Sequence, residues 1–268
     1  MTIKVFINKG IGKIGRMWYE NNHINWIATI YFNLRQLTFI QAIKLPVFVY
    51  WGTNLIDLSG SIIFKCPIKR GMVHLGKKWT RSQGYTIFQN RGIWEIEGKV
   101  IICKGTHITI APSAILCTGN SVRIRENCYI AVNKSVSIGN NSAIAYSSQI
   151  LDSDFHYIID VNTRQCQYNK APIVIGNNNW IGSYTTIKKG TITPNYCIVA
   201  SSYSVLSKDY TKNIPEFSII GGIPAKLIVS GKRRVFSMTS QSKLYDYFLH
   251  SNNIFVLTEN ENIEKFCN

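Results

Sequence analysis

At 268 residues the chain is long enough for one large domain with appendages, well above the size that needs disulfide or metal staples. Its hydrophobic share of 46% is that of a globular protein, and charged residues make up only 16%. Lys and Arg nonetheless outnumber Asp and Glu by 30 to 14, so the partner is acidic: nucleic acid, an anionic membrane surface or a phosphate-rich ligand. The seven cysteines are scattered, odd in number and without C-x-x-C spacing, which excludes a disulfide framework and fits reduced thiols in a cytoplasmic protein.

The first residues, MTIKVFINKGIGKIGRMW, contain no uninterrupted apolar run and no small-residue cleavage site, so no signal peptide is expected. From Ile24 to Ile56 the chain is rich in Trp, Tyr, Phe, Ile and Leu, but Arg35, Gln36 and Lys44 interrupt it. No stretch reaches the ~18 consecutive apolar residues of a spanning helix. Residues 1–57 therefore read as a capping subdomain on the end of the next domain. The other reading is an interfacial segment resting on an anionic bilayer.

From about residue 58 to 206 the pattern is hexameric. Ile110, Leu116 and Val122 form one set of guide positions, Ile124, Ile130 and Val136 a second, and Ile138, Ile144 and Ile150 a third. The clearest set is Ile175, Ile181, Ile187, Thr193, Val199 and Val205. No α-helix repeats at six and a plain strand repeats at two, so the period predicts short strands joined by tight corners around a shared interior. The fold class is an all-β parallel β-helix, whose stacked coils bury a core that no single coil could bury. Residues four positions beyond the guides are small or polar (Cys128, Ser142, Ser148, Thr185), as a tight corner requires. Gly139 and Gly176 and the asparagines that follow them (Asn140-Asn141, Asn177-Asn178-Asn179) suit left-handed backbone at those corners. Earlier runs, SIIF (61–64), MVHL (72–75) and VIIC (100–103), read as irregular first coils. Beyond SKDYTKNIP the repeat ends, and residues 207–268 read as a helical or loop extension that caps the last coil.

Between Ile150 and Ile173 the hexads stop for an excursion, residues 151–172, which a regular scaffold does not need and which therefore reads as functional. It opens with Asp152-Ser153-Asp154-Phe155-His156. A histidine with nearby carboxylates can act as a general base, the carboxylate fixing the tautomer and stabilising the imidazolium. Its polar, Tyr-rich remainder (Tyr157, Asn162, Arg164, Gln165, Gln167, Tyr168) suits a hydroxyl-rich sugar or open solvent.

DSDFH, KAPIVIGNNNWIG, VASSYSVLSKDY and GGIPAKLI, in that order over roughly 124–230, resemble the hexapeptide-repeat acyltransferases. The branch resembled is that of bacterial sugar O-acetyltransferases acting on capsule, O-antigen and other surface glycans. The resemblance implies a left-handed β-helix, a homotrimer and acetyl-CoA bound between adjacent subunits, with a sugar or glycan acceptor in surface polysaccharide biosynthesis. It places the family's catalytic histidine on His156, its tunnel tryptophan on Trp180, and close ligand approach on Gly182. Contacts to the pantetheine arm fall near Ser202 and Ser207, with Lys208 beside them, and the basic tail residue falls on Lys226. One extra residue separates W-I-G from S-K-D, which shifts the Ser202 assignment by up to one. A second basic tail position is Val229 here, with Lys232, Arg233 or Arg234 as substitutes.

The expected reaction is direct acetyl transfer to a hydroxyl with neutral His156 as base, oriented by Asp154 first and Asp152 second. A covalent route through Cys166, acylation of an amino sugar or a small non-sugar acceptor, and a non-catalytic scaffold or glycan-binding module are the alternatives. A zinc site needs three convergent ligands and only His107 could join His156, so no metal is expected. His23, His74, His107 and His250 read as structural or exposed. No nucleic-acid recognition motif accompanies the charge. The expected location is the cytoplasm, with peripheral contact at the inner membrane face.

Overall fold

A computed structural model describes residues 23–79 and 84–267; the N-terminal residues read above for a signal peptide lie outside them. The chain winds through three parallel sheets in turn. The first face carries Val47–Val49, Val73–Lys77, Val100–Cys103, Val122–Ile124, Ala143–Ile144, Trp180–Ile181, Ile198–Val199 and Ile219–Gly221, closed by the antiparallel strand Lys226–Val229. The second face has seven strands, from Thr53–Asp57 to Val205–Leu206, and the third has five, from Ser61–Phe64 to Ile173–Ile175. One strand per face per coil is the all-β parallel β-helix that the hexads predict.

Stacking in register makes continuous interior rows. On the first face Ile102, Ile124, Ile144, Ile181, Val199 and Ile220 pair in sequence, and on the second Phe88, Ile108, Ile130, Ile150, Ile187 and Leu206 do. All are buried. The last hexad guide is shifted: Leu206 faces inward and pairs with Ile187, while Val205 is half-buried. Its cause is the extra residue counted in the sequence. Ser202 and Tyr203 both take left-handed backbone (φ 74° and 66°), where the preceding coil uses one such residue, Tyr184.

Corners are held by side chains that reach across coils. Ser142 Oγ donates to the Gly176 carbonyl at 2.9 Å, and Ser148 Oγ donates to the Gly182 carbonyl at 3.0 Å. Asn140 Oδ1 accepts from the Asn120 N–H, Asn177 Oδ1 from Asn140, and Asn195 Oδ1 from Asn177, a ladder running through four coils. Of the glycines and asparagines expected at these corners, Asn141 and Asn178 take the left-handed conformation, and Gly139 and Gly176 do not. Those glycines are required for space: a Cβ on Gly139 would lie 2.7 Å from the Gly176 carbonyl carbon.

The solenoid begins before residue 58, because Val47–Val49 already pairs with Val73–Leu75. Helix α1 (Trp26–Gln36), N-capped by Asn25 Oδ1 on the Ala28 amide, closes this end. It does so with polar side chains. Thr29 Oγ1 accepts from the Val49 N–H at 3.0 Å, and Asn33 both accepts from the Val47 N–H (3.2 Å) and donates to its carbonyl (2.7 Å). Gln36 Nε2 donates to the Leu58 carbonyl at 2.8 Å. An exposed strand edge is thereby paired by a helix, which also packs Phe32 on Phe88. A short helix α2 (Phe39–Ala42) follows. At the other end the first face continues past residue 206 to Gly221, and helices α3 (Met238–His250) and α4 (Ile263–Cys267) form the extension. No helix among the described residues is long and apolar enough to cross a membrane.

Asn33→Ala leaves the Val47 amide and carbonyl without partners, a cost of about 1–3 kcal/mol for each buried group. Faster amide hydrogen exchange at Val47 and Val49, with exchange in the Ile181 and Val199 coils unchanged, is the expected outcome.

Candidate active site

The long excursion leaves the edge between the second and third faces. At its root Asp152 is fully buried, and its two carboxylate oxygens accept from the Asn133 and Lys134 amides of the preceding coil, each at 2.7 Å. Its own carbonyl accepts from Ala171 as the chain returns. The excursion is an irregular hairpin, with bridges at Ser153–Lys170 and Ile159–Cys166. Asp160 closes its tip by accepting from the Asn162 and Thr163 amides, bonds that hold the carboxyl below the usual carboxylate range.

His156 stands exposed on this hairpin, aimed by a tight turn in which Phe155 has φ 62° and the His156 N–H donates to the Asp154 carbonyl at 2.7 Å. Its ring has no hydrogen-bond partner among the described residues. It lines a cavity of about 540 Å³ with Asp154, Gln165, Gln167, Asn169 and Lys189. Asp154 Oδ2 pairs with Lys189 Nζ at 2.5 Å, so the two carboxylates expected to orient the imidazole hold a lysine and two backbone amides instead. Asn169 is nine-tenths buried, and its side-chain oxygen has no partner. Nothing in the sequence marks Asn169 or Lys189. Lys189 reaches the site because Lys188, its neighbour, pairs with Leu151 across coils.

Cys166 is exposed, but Gln165 and Gln167 on either side of it line the cavity, so strand alternation turns its thiol away. Cys103, Cys128 and Cys197 fill the interior, where burial pushes their thiols up to about 12. No group of three metal-ligating side chains occurs among the described residues.

The residues expected to hold the donor fall in two places. Trp180 lies on the first face and Gly182 at the corner after it; both line an apolar cleft of about 280 Å³ with Ala145, Ile198, Ala200 and Ser201. Ser202 is exposed just beyond, its amide on the Ser183 carbonyl. Gly182 has a packing reason of its own, since a Cβ there would sit 2.6 Å from the Ser201 nitrogen. Ser207 and Lys208 are exposed on the other edge, the one that carries the hairpin, and Lys208 Nζ lies 5.5 Å over the Tyr210 ring. Lys226 is exposed on the antiparallel strand that ends the first face. Within one chain, Trp180 and His156 line separate cavities on different sides of the prism.

The C-terminal segment crosses the first face. Lys232 donates its amide to the Phe217 carbonyl, and the Arg234 guanidinium lies 5.1 Å over Trp180 and 5.5 Å over Phe236. Arg123 packs on the same Phe236 ring at 4.8 Å. Arg234 Nη1 is buried without a partner, and burial together with Arg123 lowers the guanidinium's affinity for its proton. Arg123 and Arg234 thus place two cations beside the Trp180 ring. Arg123 was invisible in the sequence, because only coil stacking puts it near Arg234.

No family model and no curated protein matches the chain. Solved structures do. The polySia-specific acetyltransferase NeuO is 18% identical over 74% of this chain and 99% of its own, with a TM-score of 0.41. The hexapeptide-repeat acetyltransferase VCA0836 from Vibrio cholerae O1 biovar eltor, complexed with acetyl coenzyme A, is 25% identical over 44% of this chain and 61% of its own, with a TM-score of 0.37. AntD, an N-acyltransferase from Bacillus cereus, is 11% identical over 76% of this chain and 89% of its own, with a TM-score of 0.40. By its own coils, this chain has the hexapeptide-repeat β-helix fold.

Asp152→Ala should unpin the hairpin. Two amide bonds to a charged acceptor are lost, each worth about 1.5–3 kcal/mol, and limited proteolysis should then cut within 153–170 much faster than in the unaltered protein while the solenoid stays intact.

Proposed function

We propose that the chain is an acetyl-CoA-dependent O-acetyltransferase that acetylates a sugar hydroxyl in bacterial surface polysaccharide biosynthesis, working as a left-handed, trimeric β-helix in the cytoplasm. The observation that carries this reading is the exposed His156 imidazole, without a ring partner among the described residues, in a cavity also lined by Asn169 and the Asp154–Lys189 pair. That is a polar site with a base and a fixed charge pair. It is built on a hairpin anchored by a buried carboxylate.

In the proposed reaction neutral His156 takes the proton of the acceptor O–H as that oxygen attacks the thioester carbonyl. The tetrahedral oxyanion is stabilised by backbone N–H groups near the acyl carbon, then collapses, and the departing CoA thiolate takes the proton back from His156. Asp154 remains the proposed orienting carboxylate: Oδ2 is held by Lys189, and Oδ1 is left for the imidazolium. In uncomplexed sites such bonds are often long and close only with substrate in place. Asp152, committed to two amides, serves as the anchor.

Trp180, Gly182 and the neighbourhood of Ser202 form the proposed pantetheine cleft, with Ser207, Lys208 and Lys226 as further donor contacts. The Arg123–Arg234 pair is the proposed partner of the donor's phosphates. Because the Trp180 cleft and the His156 cavity are apart within one chain, the complete site is proposed to form between neighbouring chains of a cyclic trimer. N-acylation of an amino sugar would use the same base and cleft, and the acceptor tested decides between the two.

His156→Ala should lower acetyl transfer to a sugar panel by about 10²–10⁴-fold, with thermal stabilisation by acetyl-CoA unchanged. Turnover within threefold of the unaltered enzyme would reject His156 as base. Arg234→Gln should weaken acetyl-CoA binding about tenfold by calorimetry, with less effect on dephospho-forms of the ligand.

A further inference from the structure

Helix α1 is inverted. The side it packs on the solenoid is mostly polar, with Thr29, Asn33 and Gln36 buried and paired to strand edges beside Phe32 and Ala28. The side it turns outward carries Ile27, Ile30, Tyr31 and Leu34, the i, i+3, i+4, i+7 spacing that normally marks a core-facing stripe. Helix α2 extends the outer patch with Phe39 and Ile40, each more than two-thirds exposed. Single exposed apolar residues need no explanation, but a continuous face of this kind marks an interaction surface.

Charge identifies the partner. Of the chain's 30 basic and 14 acidic residues, positions 1–94 hold 13 and 2, so most of the excess sits in the first third. From Asn21 to Ile56 there is no Asp or Glu at all. Arg35 and Lys44 are exposed on the helical segment, and exposed Arg70 lies 5.8 Å over the Trp26 ring beside it. An apolar helix face bordered by Trp, Tyr and cations, with no acid within 21–56 and only Asp57 felt by Arg35 just beyond it, has the make-up of an interfacial membrane helix. A second copy of this chain fits less well, since the same positive field would face itself.

We propose that α1 and α2 dock this end of the solenoid on an anionic phospholipid bilayer, with the apolar face at the acyl boundary and Arg35, Lys44 and Arg70 among the headgroups. The proposal stands apart from the acetyl-transfer reading. It is tested by co-sedimentation of the full chain with vesicles of phosphatidylcholine alone and of phosphatidylcholine mixed with phosphatidylglycerol. Strong partition to the mixed vesicles, weakened by salt, is expected, and Ile30→Glu with Ile40→Glu should lower it about tenfold or more. Arg35→Glu with Lys44→Glu should reduce binding to the anionic vesicles only. All four positions are exposed, so an unchanged thermal midpoint checks the fold. The proposal is overturned if the unaltered protein does not partition. It is equally overturned if the Ile variants partition like the unaltered protein, or if the face instead drives lipid-free self-association that those variants abolish.

Discussion

Adjacent coils of this solenoid sit one strand spacing apart, about 4.8 Å, and everything else in the molecule is arranged around that separation. It obliges each interior row to repeat nearly the same volume, which is why Ile144, Ile181 and Val199 stack on one face and Ile130, Ile150 and Ile187 on another. It leaves no room for a Cβ at Gly139 or Gly182. It also lets one asparagine oxygen reach the amide of the coil beside it, so the Asn120–Asn195 ladder ties coils at their corner as well as through their core.

The same spacing gives the hairpin its definition. A 22-residue excursion would ordinarily sample many conformations, yet this one is fastened at its root by Asp152 to the coil before and, through Asp154 and Lys189, to the coil after. His156 is thus carried on an anchored base while its own ring has no partner among the described residues. On the first face, the C-terminal segment brings Arg234 over Trp180 and Phe236 and beside Arg123, so the guanidinium is held by two aromatic rings.

Much of this was legible in the residues. The hexads fixed the fold class and the interior, since a one-in-six aliphatic pattern has few physical solutions, and the pause between Ile150 and Ile173 located the hairpin. The slip from Val205 to Leu206 was half-visible as an extra residue, but its place at Ser202–Tyr203 depended on backbone angles. The start at Val47 was hidden by the surrounding aromatic run, and the polar inner side of α1 could not be told from its outer one by periodicity alone. Asn169, Lys189 and Arg123 were illegible for one reason: they join the site through neighbouring coils, and contacts between coils leave no mark in local sequence. Glycines 139 and 176 were read for backbone freedom, whereas the structure requires them for coil-to-coil clearance, a need that Gly182 shares.

The most direct test of a reaction centre shared between chains uses two inactive variants, His156→Ala and Trp180→Ala, unfolded together in equal amounts and refolded into mixed assemblies. If one chain's imidazole works on a thioester held against its neighbour's indole, random mixing should restore about one quarter of full turnover, because one site in four then has both groups. Activity no higher than the sum of the separate variants would contradict the shared site and return both groups to a single chain.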